Sequence, residues 1–311
     1  MRTAAKIRAI RWANEAVNLF ALLAILLLLA FGCYAMWDSK QVYQAAHAAR
    51  YEIYKPTSEE GELSFKELRT INPEVFAWLT VYGTQIDYPV AQGPDNMKYI
   101  NTNAHGEYSL SGAIFLDSGC DGSFTDFPSI LYGHHMEKSA MFGEIGNFAD
   151  KGFFDARKYG MLYYGGREHG LEFIAFVRAD AYDGTVFRTK LTGREARQAY
   201  LDALLAKALY VRGARVTADD RIVLLSTCSA SSTNGRDILV ARIADNPYDD
   251  PFAAGEAGKP GKIWNVDGLP GLWMRIPLWC QIAILVLPPL LLRFLALTLM
   301  KKRRSHEKKN K

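Results

Sequence analysis

Arg221-Ile222-Val223-Leu224-Leu225-Ser226-Thr227-Cys228 is an apolar run that ends in two hydroxyl side chains and a thiol. A short apolar run bounded by turn residues reads as a buried strand. Its polar end then presents Cys228 at the rim of a sheet. The segment that follows, Ser229–Gly235, holds Ser, Asn and Gly and reads as a tight connection. Asp237–Ile243 reads as the next strand. Cys228 and Arg236 stand eight residues apart across this hairpin-like link, so pairing of the two strands sets a guanidinium beside a thiol. A cysteine nucleophile needs a base or cation nearby. A fixed cation can also bind the oxyanion of an acyl-transfer intermediate.

The same texture extends outward along the body. Candidate strands are Phe76–Val81, Tyr88–Ala91, Gly112–Leu116, Ser129–Tyr132, Gly160–Tyr164, Leu171–Ala179, Arg221–Ser226 and Asp237–Ile243. Eight short strands split by Gly, Asn and Asp predict a mainly β fold, a barrel or a sandwich. One helix interrupts them over Thr192–Tyr210. Thr192 is its expected cap, Glu195 completes a capping box, and Ala196, Tyr200, Ala203, Leu204 and Leu209 fall near one face. Upstream, Asp38–Lys55 reads as a helix and Pro56–Gly61 as its end. Ser64 with Glu67 forms a capping box for a short helix through Leu68. Asn246–Lys262 is rich in Pro, Gly, Asp and Ala and reads as a linker.

A second strand end carries chemistry. Ser129-Ile130-Leu131-Tyr132 runs into Gly133, His134 and His135, and either histidine can serve as the base for Cys228. Plainer readings compete with this one. A lone Cys at a strand end is commonly a small buried residue, a His beside Gly a turn residue, and an Arg after Asn-Gly a solvated one. A zinc site from Cys120, His134, His135 and Cys228 lacks the paired ligand spacing of such sites, so no metal and no cofactor are expected. Four cysteines in 311 residues do not make a disulfide scaffold. Cys120 is read as a free structural thiol, and Cys33 and Cys280 as packing residues of apolar segments.

The two ends of the chain differ from the body. Ala16–Trp37 is 22 residues without a charge, enough to cross a hydrocarbon core of about 30 Å as a helix. Arg2, Lys6, Arg8 and Arg11 precede it, which keeps the N-terminus cytoplasmic. A second apolar stretch, Ile276–Met300, contains Pro288-Pro289 and Arg293, and Lys301, Lys302, Arg303 and Arg304 follow. If both stretches span, both basic tails lie inside and the body lies outside. The expected organisation is a tail over 1–15, a span over 16–37, a catalytic domain over 38–245, a linker over 246–275, a second span over 276–300 and a tail over 301–311. The chain nets +4, yet residues 301–311 alone hold seven basic residues against one acidic. The body is therefore acidic, which argues against nucleic acid as its partner.

Several segments together resemble one family. Leu225-Ser226-Thr227-Cys228 followed by Arg236 resembles the active-site signature of sortases, transpeptidases of Gram-positive bacterial surfaces. Tyr132-Gly133-His134-His135-Met136 with Met141-Phe142-Gly143 is similar to the histidine segment of class B members. Ile71–Leu79, Ile86–Val90 and Gly112–Asp117 resemble the same class, in the same order, and the similarity covers roughly residues 35–245. The resemblance implies the eight-stranded sortase barrel, with helices at the N-terminus and before the cysteine strand, here flanked by two membrane helices. It implies Cys228 as nucleophile, His134 as the catalytic histidine and Arg236 as the catalytic arginine, with Ser226 and Thr227 lining the substrate site; His135 falls on a variable position.

The implied reaction is thiolate attack on a threonine carbonyl within the sorting motif of a secreted surface protein. A thioacyl enzyme follows, and an amine of a peptidoglycan precursor or of a pilin resolves it. The implied place is the cell membrane, two-pass or N-terminally anchored, with the catalytic domain extracellular. Class B members usually carry only an N-terminal anchor, whereas a C-terminal membrane segment is more familiar in pilus-building sortases. Wall anchoring is the favoured reading, pilin polymerisation the alternative. A catalytically silent peptide-binding module and a plain hydrolase are the rivals from other classes.

Overall fold

The computed structural model of the chain describes residues 2–56, 59–137, 139–213, 216–229 and 233–253. It divides into two units, with Met1–Lys40 in one and Gln41–Lys262 in the other.

Helix α1 spans Arg2–Ala46. Its Leu- and Ala-rich middle has high helix propensity and holds one Gly and no Pro. Ala4–Ala46 is long and apolar enough to cross a membrane. The helix expected through Lys55 stops at Ala46. Two short 3-10 turns, Ala48–Arg50 and Glu52–Tyr54, replace its last part. Tertiary packing explains the change: the Ala46 carbonyl accepts from the Tyr88 hydroxyl at 2.9 Å, and Tyr51 stacks on His105 at 5.2 Å.

Helix α2, Glu59–Ile71, starts earlier than expected, so Ser64 lies inside it rather than at its cap. Its buried Phe65 and Leu68 face the barrel, where Phe65 meets Trp78 and Tyr163 edge-on. Asn72 and Pro73 end it. Pro73 disfavours helical backbone before it, and the Asn72 carbonyl accepts from Val75 N to start the first strand.

The strands are β1 (Val75–Val81), β2 (Asp87–Ala91), β3 (Ile114–Leu116), β4 (Ser129–Tyr132), β5 (Tyr159–Tyr164), β6 (Arg167–Asp180), β7 (Ala208–Val211), β8 (Arg221–Cys228) and β9 (Gly235–Ala244). Helix α3 (Lys151–Ala156) precedes β5, and α4 (Arg194–Ala206) precedes β7. Their order is β5-β1-β2-β3-β4-β8-β9-β6-β7, and β5 also pairs with β6. Eight strands therefore close into a barrel, and β7 attaches outside the ring. These are the eight strands expected from the sequence. Most pairs are antiparallel, but β2–β3 and β4–β8 are parallel.

The apolar run of β8 fits this arrangement because both of its faces are covered. Val223 and Leu225 belong to the main core, with Leu239 and Ala241 of β9. Ile222 and Leu224 belong to a second core outside the barrel, with Tyr200, Leu201 and Leu204 of α4. A strand buried on both faces reads as a continuous apolar run instead of an alternating one.

Three local expectations are corrected. Thr192 does not cap α4; Gly193 does, with φ +86° and no side-chain cap. The helix ends at Ala206, and Leu209 and Tyr210 belong to β7 instead. The start of the expected linker is bound to the barrel. Asn246 O accepts from Gly170 N at 3.1 Å, Tyr248 stacks on Tyr159 at 4.2 Å, and Phe252 lies against Gly83, where a Cβ would meet its ring at 2.7 Å. The second apolar stretch, 276–300, and the basic tail lie outside the described residues.

Candidate active site

The site is built where β8, β9 and β4 end together. Antiparallel pairing of β8 and β9 sets Cys228 opposite Arg236, and Arg236 Nη1 donates to Cys228 Sγ. Just beyond, Ser229 N donates to Gly235 O at 2.7 Å and fastens the base of the connection. The register that spacing alone predicts is thus realised, and a positive charge sits against the sulfur.

Parallel pairing of β4 with β8 aligns Tyr132 with Ser226. The two chains stay together past the strand end. Gly133 N donates to Ser226 O at 3.2 Å, and the Thr227 hydroxyl donates to Gly133 O at 2.8 Å. A side chain at 133 has no room: a Cβ would stand 2.5 Å from Ile114 Cδ1 and 2.8 Å from the Phe142 ring. This close approach brings the residue after the glycine, His134, to the cleft that holds Cys228.

The cleft has a volume of about 320 Å³, and Tyr132, His134, Ser226, Thr227, Cys228 and Arg236 all line it. Cys228 is exposed there, while Ser226 and Thr227 are buried. Ser226 Oγ is a buried oxygen without a hydrogen-bond partner among the described residues, whereas the Thr227 hydroxyl donates to the Gly133 carbonyl. His134 Nε2 is 2.8 Å from Ile100 O. A carbonyl only accepts, so Nε2 carries a proton in this arrangement and Nδ1 is the nitrogen left to exchange one. Beside Arg236 in sequence, the buried Asp237 accepts from Arg178 Nε at 2.9 Å.

The other sulfur and imidazole candidates lie elsewhere. Cys120 is buried with its sulfur toward the Pro128 carbonyl, and burial pushes its thiol up to about 11. His135 bridges to Met141; neither Cys120 nor His135 lines the cleft. With Gly133, the residues Asn96, Ile100, Phe115, Ala181 and Phe187 complete the lining, and these last five were not read from the sequence as site residues. They come from β3 and from long connections, whose placement depends on tertiary contacts.

Chemically, the arrangement offers an exposed sulfur, a cation bonded to it and an imidazole in one cleft. Those are the parts that nucleophilic acyl transfer requires.

Comparison with known proteins agrees with this chemistry. No family model matches the chain. Among curated proteins it is 29% identical over 210 residues to sortase B of Listeria monocytogenes, covering 66% of this chain and 82% of that protein. Among solved structures it is similar to sortase B from the type II pilus of Streptococcus pneumoniae, at 44% identity and TM-score 0.52, covering 58% of this chain and 99% of that one. A Streptococcus pyogenes class B sortase involved in pilus biogenesis is similar at 38% identity and TM-score 0.53, covering 58% of this chain and 97% of that one.

Proposed function

The chain belongs to the class B sortases and is a cysteine transpeptidase, and from that premise we propose that Cys228, His134 and Arg236 carry its chemistry. The Cys228 sulfur, its proton passed to His134 Nδ1, attacks a peptide carbonyl in the sorting motif of a secreted surface protein. Arg236 holds the oxygen as it becomes negative. His134 gives a proton to the leaving amine through Nδ1, and a thioacyl enzyme remains. An incoming amine attacks it, His134 takes the proton back, and Cys228 is released. Ser226 and Thr227 form the wall against which the motif lies. The observation that carries this reading is the Arg236–Cys228 contact in a cleft that His134 also lines.

The acceptor is an amine of a cell-wall precursor or of a pilin subunit. The pilin reading is favoured by one observation: the two similar streptococcal enzymes named above are a type II pilus sortase and one involved in pilus biogenesis.

For the setting, we propose that α1 anchors the protein with residues 1–15 inside and the barrel outside, and that 276–300 forms a second anchor. Within the barrel unit, the first and last described segments meet. A cavity of about 350 Å³ is lined both by Ala48, Ala49 and Glu52, where the chain enters, and by Asp250, Phe252 and Ala253, where it leaves.

The test uses the full chain in detergent micelles with a panel of sorting-motif peptides, with and without amine acceptors. Mass spectrometry is expected to show a thioacyl adduct on Cys228 and an amine-linked product, both absent in Cys228→Ala. Cleavage that yields only acid whatever amine is supplied would replace transfer with hydrolysis. The absence of any adduct would favour a binding module. Preference for a lysine-bearing pilin peptide over a wall-precursor amine would decide between the two acceptors.

A further inference from the structure

Asp117 immediately follows β3, and its two carboxylate oxygens hold different partners. Oδ1 accepts from Gly119 N at 2.8 Å. Oδ2 accepts from Asn96 Nδ2 at 2.8 Å and from the Tyr132 hydroxyl at 3.2 Å. Asn96 and Tyr132 both line the cleft that holds Cys228.

Asn96 is gripped a second time, since Ser118 N donates to its Oδ1 at 2.7 Å. A backbone N–H only donates and a carboxylate only accepts, so these two contacts fix which way the amide points. One N–H of Asn96 Nδ2 remains for a ligand. The Tyr132 hydroxyl has its single hydrogen engaged by Asp117, so lone pairs are what its oxygen still offers. The carboxylate therefore presets one cleft residue as a donor and another as an acceptor. An extended peptide presents alternating C=O and N–H groups and matches that pair.

We infer that Asp117 is a positioning residue for the acyl-donor peptide, acting through Asn96 and Tyr132 without touching the reacting atoms. The inference rests on the peptide-transfer reading above.

Asp117→Asn tests it. The variant keeps the shape but replaces one oxygen with an NH₂ group. That group must face either Gly119 N–H or the Asn96 and Tyr132 donors, so one side of the network meets donor against donor. With the full chain in detergent micelles and a peptide that the wild type transfers, KM is expected to rise about fivefold or more, with kcat changed less than about twofold. The rate of Cys228 alkylation by iodoacetamide is expected to stay at the wild-type value. In an Asn96→Ala background the effect of Asp117→Asn on KM is expected to shrink to about twofold or less, because both changes act through one contact. A purely structural role would instead lower kcat in both backgrounds and multiply with Asn96→Ala. An unchanged KM, or effects that multiply, would overturn the role of Asp117 while leaving the transferase assignment standing. A wild type that forms no thioacyl adduct with any peptide would overturn the peptide-transfer reading, and this role with it.

Discussion

Two cavities of nearly equal size lie on the barrel, about 320 and 350 Å³, and they share no residue. In the larger one two of the four charged side chains that line it, Lys55 and Asp87, satisfy each other, beside Glu52 and Asp250. Lys55 pairs with Asp87 at 2.7 Å, and Asp87 also accepts from Trp78 Nε1 at 2.7 Å and Thr80 Oγ1 at 2.8 Å. In the smaller one an exposed thiol faces a cation. The contrast separates structural polarity from reactive polarity. A closed network of partners stabilises a junction, whereas groups left with unused valences at a cleft can meet a substrate.

Substitution at each cavity tests this contrast. The largest expected effect is at the smaller cavity. Cys228→Ala is expected to lower transfer at least about a thousandfold, and Arg236→Ala about a hundredfold or more, the scale of losing one oxyanion donor. Arg236→Lys is expected to recover little, because an ammonium cannot reproduce the reach and fork of the guanidinium. Circular dichroism of these variants is expected to match the wild type; a lost fold would remove the contrast.

Asp87→Asn at the larger cavity is expected to do the reverse. It leaves donors of Lys55, Trp78 and Thr80 poorly matched and is expected to cost about 1–3 kcal/mol of stability in denaturant unfolding. Transfer per folded molecule is expected to be unchanged. A variant as stable as the wild type but slow in transfer would erase the distinction between the two regions.

The smallest effect concerns acid. His169 is buried and stacks on Tyr164 at 4.0 Å, and burial, with Arg167 and Arg221, holds its pKa below the ordinary histidine value. Below about pH 6.5 the unfolded chain then takes up a proton that the folded chain resists. This histidine's contribution is present at neutral pH and is lost as the pH falls below that value. A modest fall in melting temperature from pH 7 to pH 5 is expected, and His169→Gln is expected to flatten it. An unaltered slope in that variant would assign the acid sensitivity to another group, such as His105, which burial also holds low.

Much of this architecture is legible in the chain because it is local. Cys228 and Arg236 meet through a hairpin, so spacing predicts their register. The Gly133–His134 pair follows a strand whose end is marked by its own composition. Elements decided by distant partners are less legible. Ala208–Val211 has residues that suit a helix as well as a strand, and pairing with β6 makes it β7. Ser64 has the chemistry of a cap, yet the helix runs through it. Tyr248 and Phe252 sit in a segment that composition marks as a linker, and tyrosine, glycine and arginine surfaces of the barrel hold them in place. Asn96 and Phe187 enter the cleft from long connections, where no periodicity marks them.

The meeting of chain entry and chain exit at one cavity has a topological consequence. The barrel is a closed ring of strands whose covalent ends are neighbours, so the fold has almost no beginning or end of its own. Bridging Ala253 back to Ala48 with a short Gly/Ser segment, and opening the chain between β7 and β8, would give a circular permutant of the barrel. In such a molecule the strand order in space is unchanged while the order of synthesis is new. The hairpin of β8 and β9 that carries Cys228 and Arg236 would emerge first instead of last.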